Sequence, residues 1–255
     1  IMSNAALVGK QYEISLRTKL KSVFKNIPKN AGFGSGPDLT IPSVNNPGQT
    51  LLVEAKTTTQ ADFGQKAITF NGTSWVAKFD GTESQSIVSL YNYLYSQYDV
   101  DRKIQQAWGL PNDKLTAVDL QNVINNDSLG KVLYYEKLLT EKTGSSNPFP
   151  QTTIASGPDV VSKIIFYYNS KGINYIQIKN EGFYILGSDK MGLNSKLPID
   201  IPRFAPSSAS LVVRGKTSNS NGTFRPTLTL KSEGVARSNF SLDDANDLRL
   251  LRDSF

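Results

Sequence analysis

Gly36-Pro37-Asp38-Leu39-Thr40-Ile41 and, after a turn, Thr50-Leu51-Leu52-Val53-Glu54-Ala55-Lys56 form the stretch on which the reading of this chain depends. Asp38 opens a short extended segment, 38–41, behind a glycine-rich loop at 30–37. Asn45, Asn46, Pro47 and Gly48 supply turn chemistry within 42–49. A second strand is predicted over 50–59, and its opening apolar run, Leu51-Leu52-Val53, has the pattern of a strand buried on both faces. Side chains two apart in a strand share a face. Glu54 and Lys56 therefore project together, while Val53 and Ala55 point the opposite way, into the core. If the strand at Asp38 pairs alongside, its carboxylate can reach Glu54. Two carboxylates held that close repel, and a divalent cation relieves the repulsion.

Working outward, Asn4 reads as the cap of a first helix running to about Ile27. Its apolar stripe is Ile14, Leu16, Leu20, Val23, Phe24 and Ile27, and Pro28 stops it. Segments 67–70 and 74–79 flank Asn71-Gly72 as a hairpin. Helices are predicted over 84–97, 99–108, 116–125 and 128–143, and the polar, proline-containing stretch 144–158 reads as a linker. The last third alternates like a three-strand meander over 163–168, 174–179 and 183–186. Two further strands, 211–214 and 227–231, and a closing helix capped by Ser241 complete it. Tyr91, Tyr93, Tyr95 and Tyr98 form an aromatic cluster, and the spacings of four and three in Tyr91, Tyr95 and Tyr98 suit helical core packing better than a base-stacking platform. Two regions are expected: 1–145, a core with a helical insertion, and 146–255, a β-rich basic region that is either separate or continuous with it.

Composition narrows the chemistry. The 255 residues carry a net charge of +6, which favours a polyanionic partner, and 38% of them are hydrophobic, enough for a core. There is no Cys and no His. Thiolate and imidazole metal sites, Cys nucleophiles and Ser-His-Asp triads are excluded. Hydrolysis would have to use carboxylates, Lys, Tyr or Ser, and a metal would need oxygen ligands, which suits Mg²⁺ or Mn²⁺. No run of about 18 apolar residues suggests a membrane helix. The first ten residues lack the shape of a signal peptide, so a cytoplasmic location is expected.

Pro37-Asp38, a gap, and Glu54-Ala55-Lys56 on an apolar strand resemble the PD-(D/E)xK nucleases, over about residues 9–66. That group includes many type II restriction enzymes, Holliday-junction resolvases and phage nucleases. The resemblance implies an α/β fold of the restriction-endonuclease-like kind: a mixed central sheet flanked by helices, here with a β-rich C-terminal extension. It implies Asp38, Glu54 and Lys56 as catalytic residues, with Asp38 and Glu54 holding Mg²⁺, for which Mn²⁺ can substitute. It also makes Glu13, on the first helix, a candidate outer metal ligand, and Gln65 a candidate supporting residue. An ordinary helical pairing of Glu13 with Arg17 and a plain loop amide at Gln65 are the alternatives. Lys56 would orient or help deprotonate the attacking water, or stabilise charge on the phosphate.

Residues 160–240 hold eleven basic and four acidic side chains, a balance of +7. Lys179, Arg214, Lys216, Asn219, Arg225 and Lys231 are the candidate DNA contacts. The expected activity is Mg²⁺-dependent cleavage of double-stranded DNA, site-specific in the restriction manner, with a possible homodimer. A resolvase or homing-type nuclease of the same chemistry, and a non-catalytic DNA-binding protein, are the alternatives.

Overall fold

The computed structural model describes residues 4–28, 36–71, 73–108, 150–215 and 226–255. These form a mixed α/β protein with two sheets and six helices among the described residues. The predicted helices 116–125 and 128–143 lie outside them. The chain divides into two compact units: a first of Met2–Ala61, Val161–Ala209 and Ser232–Phe255, and a second of Asp62–Val160 and Ser210–Lys231. Each draws chain from both sides of position 145, so the division is not the linear one expected there. In the first unit, the cause is a strand pairing that joins the N-terminal third to the 161–209 segment.

The first unit is built on a four-stranded sheet of order β1-β2-β6-β7, formed by β1 (Leu39–Pro42), β2 (Thr50–Lys56), β6 (Tyr175–Ile178) and β7 (Gly182–Ile185). β1 runs antiparallel to β2, with Leu39 opposite Val53 and Ile41 opposite Leu51. β6 runs parallel to β2, with Glu54 opposite Ile176 and Lys56 opposite Ile178. Leu51, Val53 and Ala55 bury one face of β2 in a core shared with helix α1 (Asn4–Val23). The buried stripe of α1 is Tyr12, Leu16 and Leu20, extended by Phe24 and Ile27 beyond the helix end. Ile14, expected in that stripe, is 50% exposed, because its position falls outside the four-residue spacing that Tyr12 starts. Phe24 closes onto Leu20 O, and the chain turns through Asn26 at φ 62 before Pro28.

Two predicted elements differ. Segment 163–168 is not a strand but part of helix α4 (Pro158–Asn169). Pro158 suits the first helical position and Asp159 the positive end of the helix dipole. Val160, Ile164 and Tyr168, four residues apart, form its buried stripe. Of the linker expected at 144–158, residues Thr152–Ser156 form strand β5, with Ile154 buried. The closing helix, Ala245–Ser254 (α6, after the one-turn α5 at Leu193–Lys196), is capped by Asp244 rather than Ser241. The Asp244 carboxylate accepts from the Asn246 and Asp247 N–H groups. Ser241 instead closes a turn, accepting from Asp243 N and Gln177 Nε2.

The second unit carries a five-stranded sheet of order β4-β3-β9-β8-β5, with β3 (Phe63–Phe70), β4 (Trp75–Ala77), β8 (Ser208–Arg214) and β9 (Thr227–Glu233). The β3–β4 hairpin turns on Asn71, whose Oδ1 accepts from Thr73 N and Ser74 N. Helices α2 (Gln85–Tyr98) and α3 (Val100–Trp108) belong to this unit. Tyr91 is buried and donates to Gly64 O, whereas Tyr93 is 43% exposed, so the tyrosine cluster is divided between core and surface.

Candidate active site

Asp38 stands immediately before β1, and extending the β1–β2 register by one residue sets it opposite Glu54. Its Oδ2 accepts from Ala55 N at 2.8 Å, which ties the carboxylate to the strand carrying the two other groups. Glu54 and Lys56 share a face of β2, as the two-residue period requires, and Lys56 Nζ lies 2.7 Å from Glu54 Oε1. Tyr168, from α4, reaches the same carboxylate: its Oη is 3.3 Å from Glu54 Oε1. Glu54 is 8% exposed and Tyr168 2%.

Charge at this site is under stress. Burial, then the neighbouring Glu54, push the Asp38 carboxyl up to about 7, against the opposing pull of Lys56 and the Ala55 N–H. Glu13, half-buried on α1, is raised by its own burial and then by Glu54, which places it in the same field. Burial alone would pull the Lys56 ammonium down. Tyr168, Glu54 and Asp38 together outweigh it and hold that pKa well above the usual lysine value. Lys56 is therefore a fixed cation at neutral pH. It can orient a water or stabilise an anion, but it cannot take a proton.

Asp38, Glu54 and Lys56 are thus brought together, with Glu13 in electrostatic range. Among the described residues, no group of three or more acidic, His or Cys side chains is arranged to hold a metal ion, and Glu54 Oε1 is engaged by Lys56. Gln65 lies on β3 in the second unit and donates to Asp62 Oδ2 at 2.8 Å. Arg214 also pairs with Asp62, and Lys231 Nζ sits 3.3 Å from Asp62 Oδ1, so these two basic residues are drawn into an internal ion-pair cluster. Lys179, exposed just beyond β6, donates its N–H to Lys56 O at 2.8 Å and carries its ammonium 5.7 Å from the Tyr12 ring centroid. Lys216, Asn219 and Arg225 lie outside the described residues.

Tyr168 was not legible as a site residue because its segment reads as a strand. The helical signals were Pro158 and Asp159 at the start and the Val160, Ile164, Tyr168 spacing of four.

A scan of protein-family models and searches of curated proteins and of solved structures found no match to the chain. Among the described residues, no helix is long and apolar enough to cross a membrane.

Proposed function

We propose that this protein is a Mg²⁺-dependent endonuclease of double-stranded DNA, restriction-endonuclease-like in fold and PD-(D/E)xK in chemistry. The observation that carries the reading is the convergence of Asp38, Glu54 and Lys56 from adjacent strands of one sheet. A mixed sheet with helices and with both acidic strands side by side is the scaffold that chemistry needs. The donor set fits a hard divalent cation. Asp38 and Glu54 offer only oxygen, and burial, then the nearby Glu54, push the Asp38 carboxyl up to about 7, a state that a bound cation would relieve. Asp38 and Glu54 would hold the ion, and Glu13 would add charge from α1. Bound there, Mg²⁺ supplies Lewis acidity at the scissile phosphate.

The protein's own groups do the rest. Lys56, permanently charged, stabilises the negative charge that builds on the phosphate. Its ion pair with Glu54 fixes that ammonium before substrate arrives, so little reorganisation accompanies the chemistry. Lys179, exposed beside Lys56, suits a contact to the DNA backbone. A homodimer would present two such centres to the two strands.

The test is incubation with plasmid and phage DNA in Mg²⁺ or EDTA. Discrete fragments that appear only with Mg²⁺ support site-specific cutting, and a smear indicates a nuclease without sequence preference. Intact but retarded DNA identifies a non-catalytic binder and removes the enzymatic reading. Cleavage that survives in both Asp38→Ala and Lys56→Ala removes the site.

A further inference from the structure

Tyr168 is placed where packing alone does not require a hydroxyl. Ile164 and Tyr168 are both buried on α4, and any large apolar side chain would fill the second position. The phenol oxygen instead meets the Glu54–Lys56 pair, 3.3 Å from Glu54 Oε1, while the ring lies 5.9 Å from Lys56 Nζ. The ring is itself held: Tyr167 packs edge-on at 5.1 Å, and Lys171 Nζ donates to Tyr167 Oη at 2.8 Å. A buried hydroxyl costs stability unless it is bonded, and here the bonding partner is the charged pair of the site.

Lys56 and Tyr168 converge on one oxygen of Glu54, Oε1. A glutamate on a strand has three rotatable side-chain bonds, so without such contacts its carboxylate would sample several orientations. We propose that Tyr168 is a positioning residue of this site: its hydroxyl, with Lys56, holds Glu54 by Oε1 and so sets the orientation in which that carboxylate meets a divalent cation. The consequence for cleavage rests on the nuclease reading above; the positioning of Glu54 and Lys56 does not.

Tyr168→Phe removes the hydroxyl and keeps the ring, and Tyr167→Phe is the control that removes a neighbouring hydroxyl. Three measurements separate the outcomes: the ¹⁵Nζ resonance of Lys56 in metal-free protein, Mn²⁺ affinity by electron paramagnetic resonance without DNA, and steady-state cleavage. In Tyr168→Phe the Lys56 resonance should broaden or shift. Mn²⁺ affinity should fall about 10-fold or more, and kcat about 10- to 100-fold with KM for DNA unchanged, the usual effect of losing a partner that orients a ligand. Tyr167→Phe should change none of these.

A folded Tyr168→Phe protein with wild-type Mn²⁺ affinity overturns the proposal, and if it also cuts normally the nuclease reading stands without it. If wild-type protein neither binds Mn²⁺ nor cuts, the nuclease reading fails and the Lys56 resonance alone decides: altered in Tyr168→Phe, the positioning holds; unaltered, it falls. Should Tyr168→Phe not fold, 3-fluorotyrosine introduced at position 168 makes the hydroxyl a stronger donor within the same shape. A Lys56 resonance that then stays in place refutes the contact.

Discussion

Replacing Asp38 by Asn should stabilise the protein at alkaline pH while abolishing cleavage. The Asp38 carboxyl has a pKa of about 7 against an ordinary 3.8, raised by burial and then by Glu54. A carboxyl raised in the folded state keeps its proton there more readily than in the unfolded chain. Folding stability is then greatest below the unfolded pKa and declines as pH climbs from about 4 through 7. Roughly three pKa units at 1.36 kcal/mol each set a ceiling of about 4 kcal/mol on the penalty at pH 8. Asn removes the charge and nearly preserves the shape. Its Oδ1 can still accept from Ala55 N, now as a neutral bond weaker by about 1 kcal/mol. The net gain at pH 8 is about 2–3 kcal/mol, or roughly 5–10 °C in melting temperature for a chain of this size. At pH 4 the gain should vanish or reverse, because Asp38 is then protonated in the folded wild type as well.

Urea melts in EDTA from pH 4 to 8.5 read this directly. Mg²⁺ should close the gap between the two proteins by stabilising the wild type selectively, since only it retains both acidic groups. Equal stabilities across the whole pH range would show that Asp38 is not electrostatically stressed. The chief physical argument for a cation at this site would go with it.

Lys56→Met should act in the opposite direction, costing about 3–5 kcal/mol in urea melts at pH 8, because it leaves Glu54 and Asp38 buried without their cation; a loss below about 1 kcal/mol would mean the pair is solvated. Gly182→Ala should destabilise by more than about 1 kcal/mol and lower the melting temperature. Gly182 opens β7 at φ 112, where a Cβ would come within 2.7 Å of Phe240 O and Ser238 Cβ. Asp62→Asn loosens the cluster holding Arg214 and Lys231 and should tighten non-specific DNA binding with a steeper salt dependence, measured by fluorescence anisotropy; an unchanged salt slope would place both cations away from DNA.

The parts of the site that lie within one strand pair were legible in the sequence, because short-range geometry fixes them. A strand's two-residue period puts Glu54 beside Lys56 wherever that strand sits, and a turn as short as 43–49 leaves β1 little choice but to fold back on β2. Long-range placement was less legible. Ile164-Ile165-Phe166-Tyr167-Tyr168 is rich in β-formers and reads locally as a strand, yet Pro158 and the four-residue spacing of Val160, Ile164 and Tyr168 make it a helix. The compact units draw on chain from both sides of 145 for a related reason. A parallel partner for β2 has to come from beyond a crossover, and it comes from β6, more than a hundred residues away.

That crossover ties fold to site. A strand joined to a parallel neighbour through a helix brings that helix back over the sheet. Here β6 pairs with β2, and α4, immediately before β6, covers the face that carries Glu54 and Lys56. The side chain that α4 lays over the pair is Tyr168. The pairing of β6 with Glu54 through Lys56 therefore does two jobs, completing the sheet and roofing the charged pair, and the burial that follows explains the shifted titrations. Exposed on an open sheet edge, Asp38 would be an ordinary carboxylate and Glu54–Lys56 a surface ion pair worth about 0–1 kcal/mol. Under α4 the same three residues become a strained acidic pair with a fixed ammonium, and that strain is what a divalent cation would relieve.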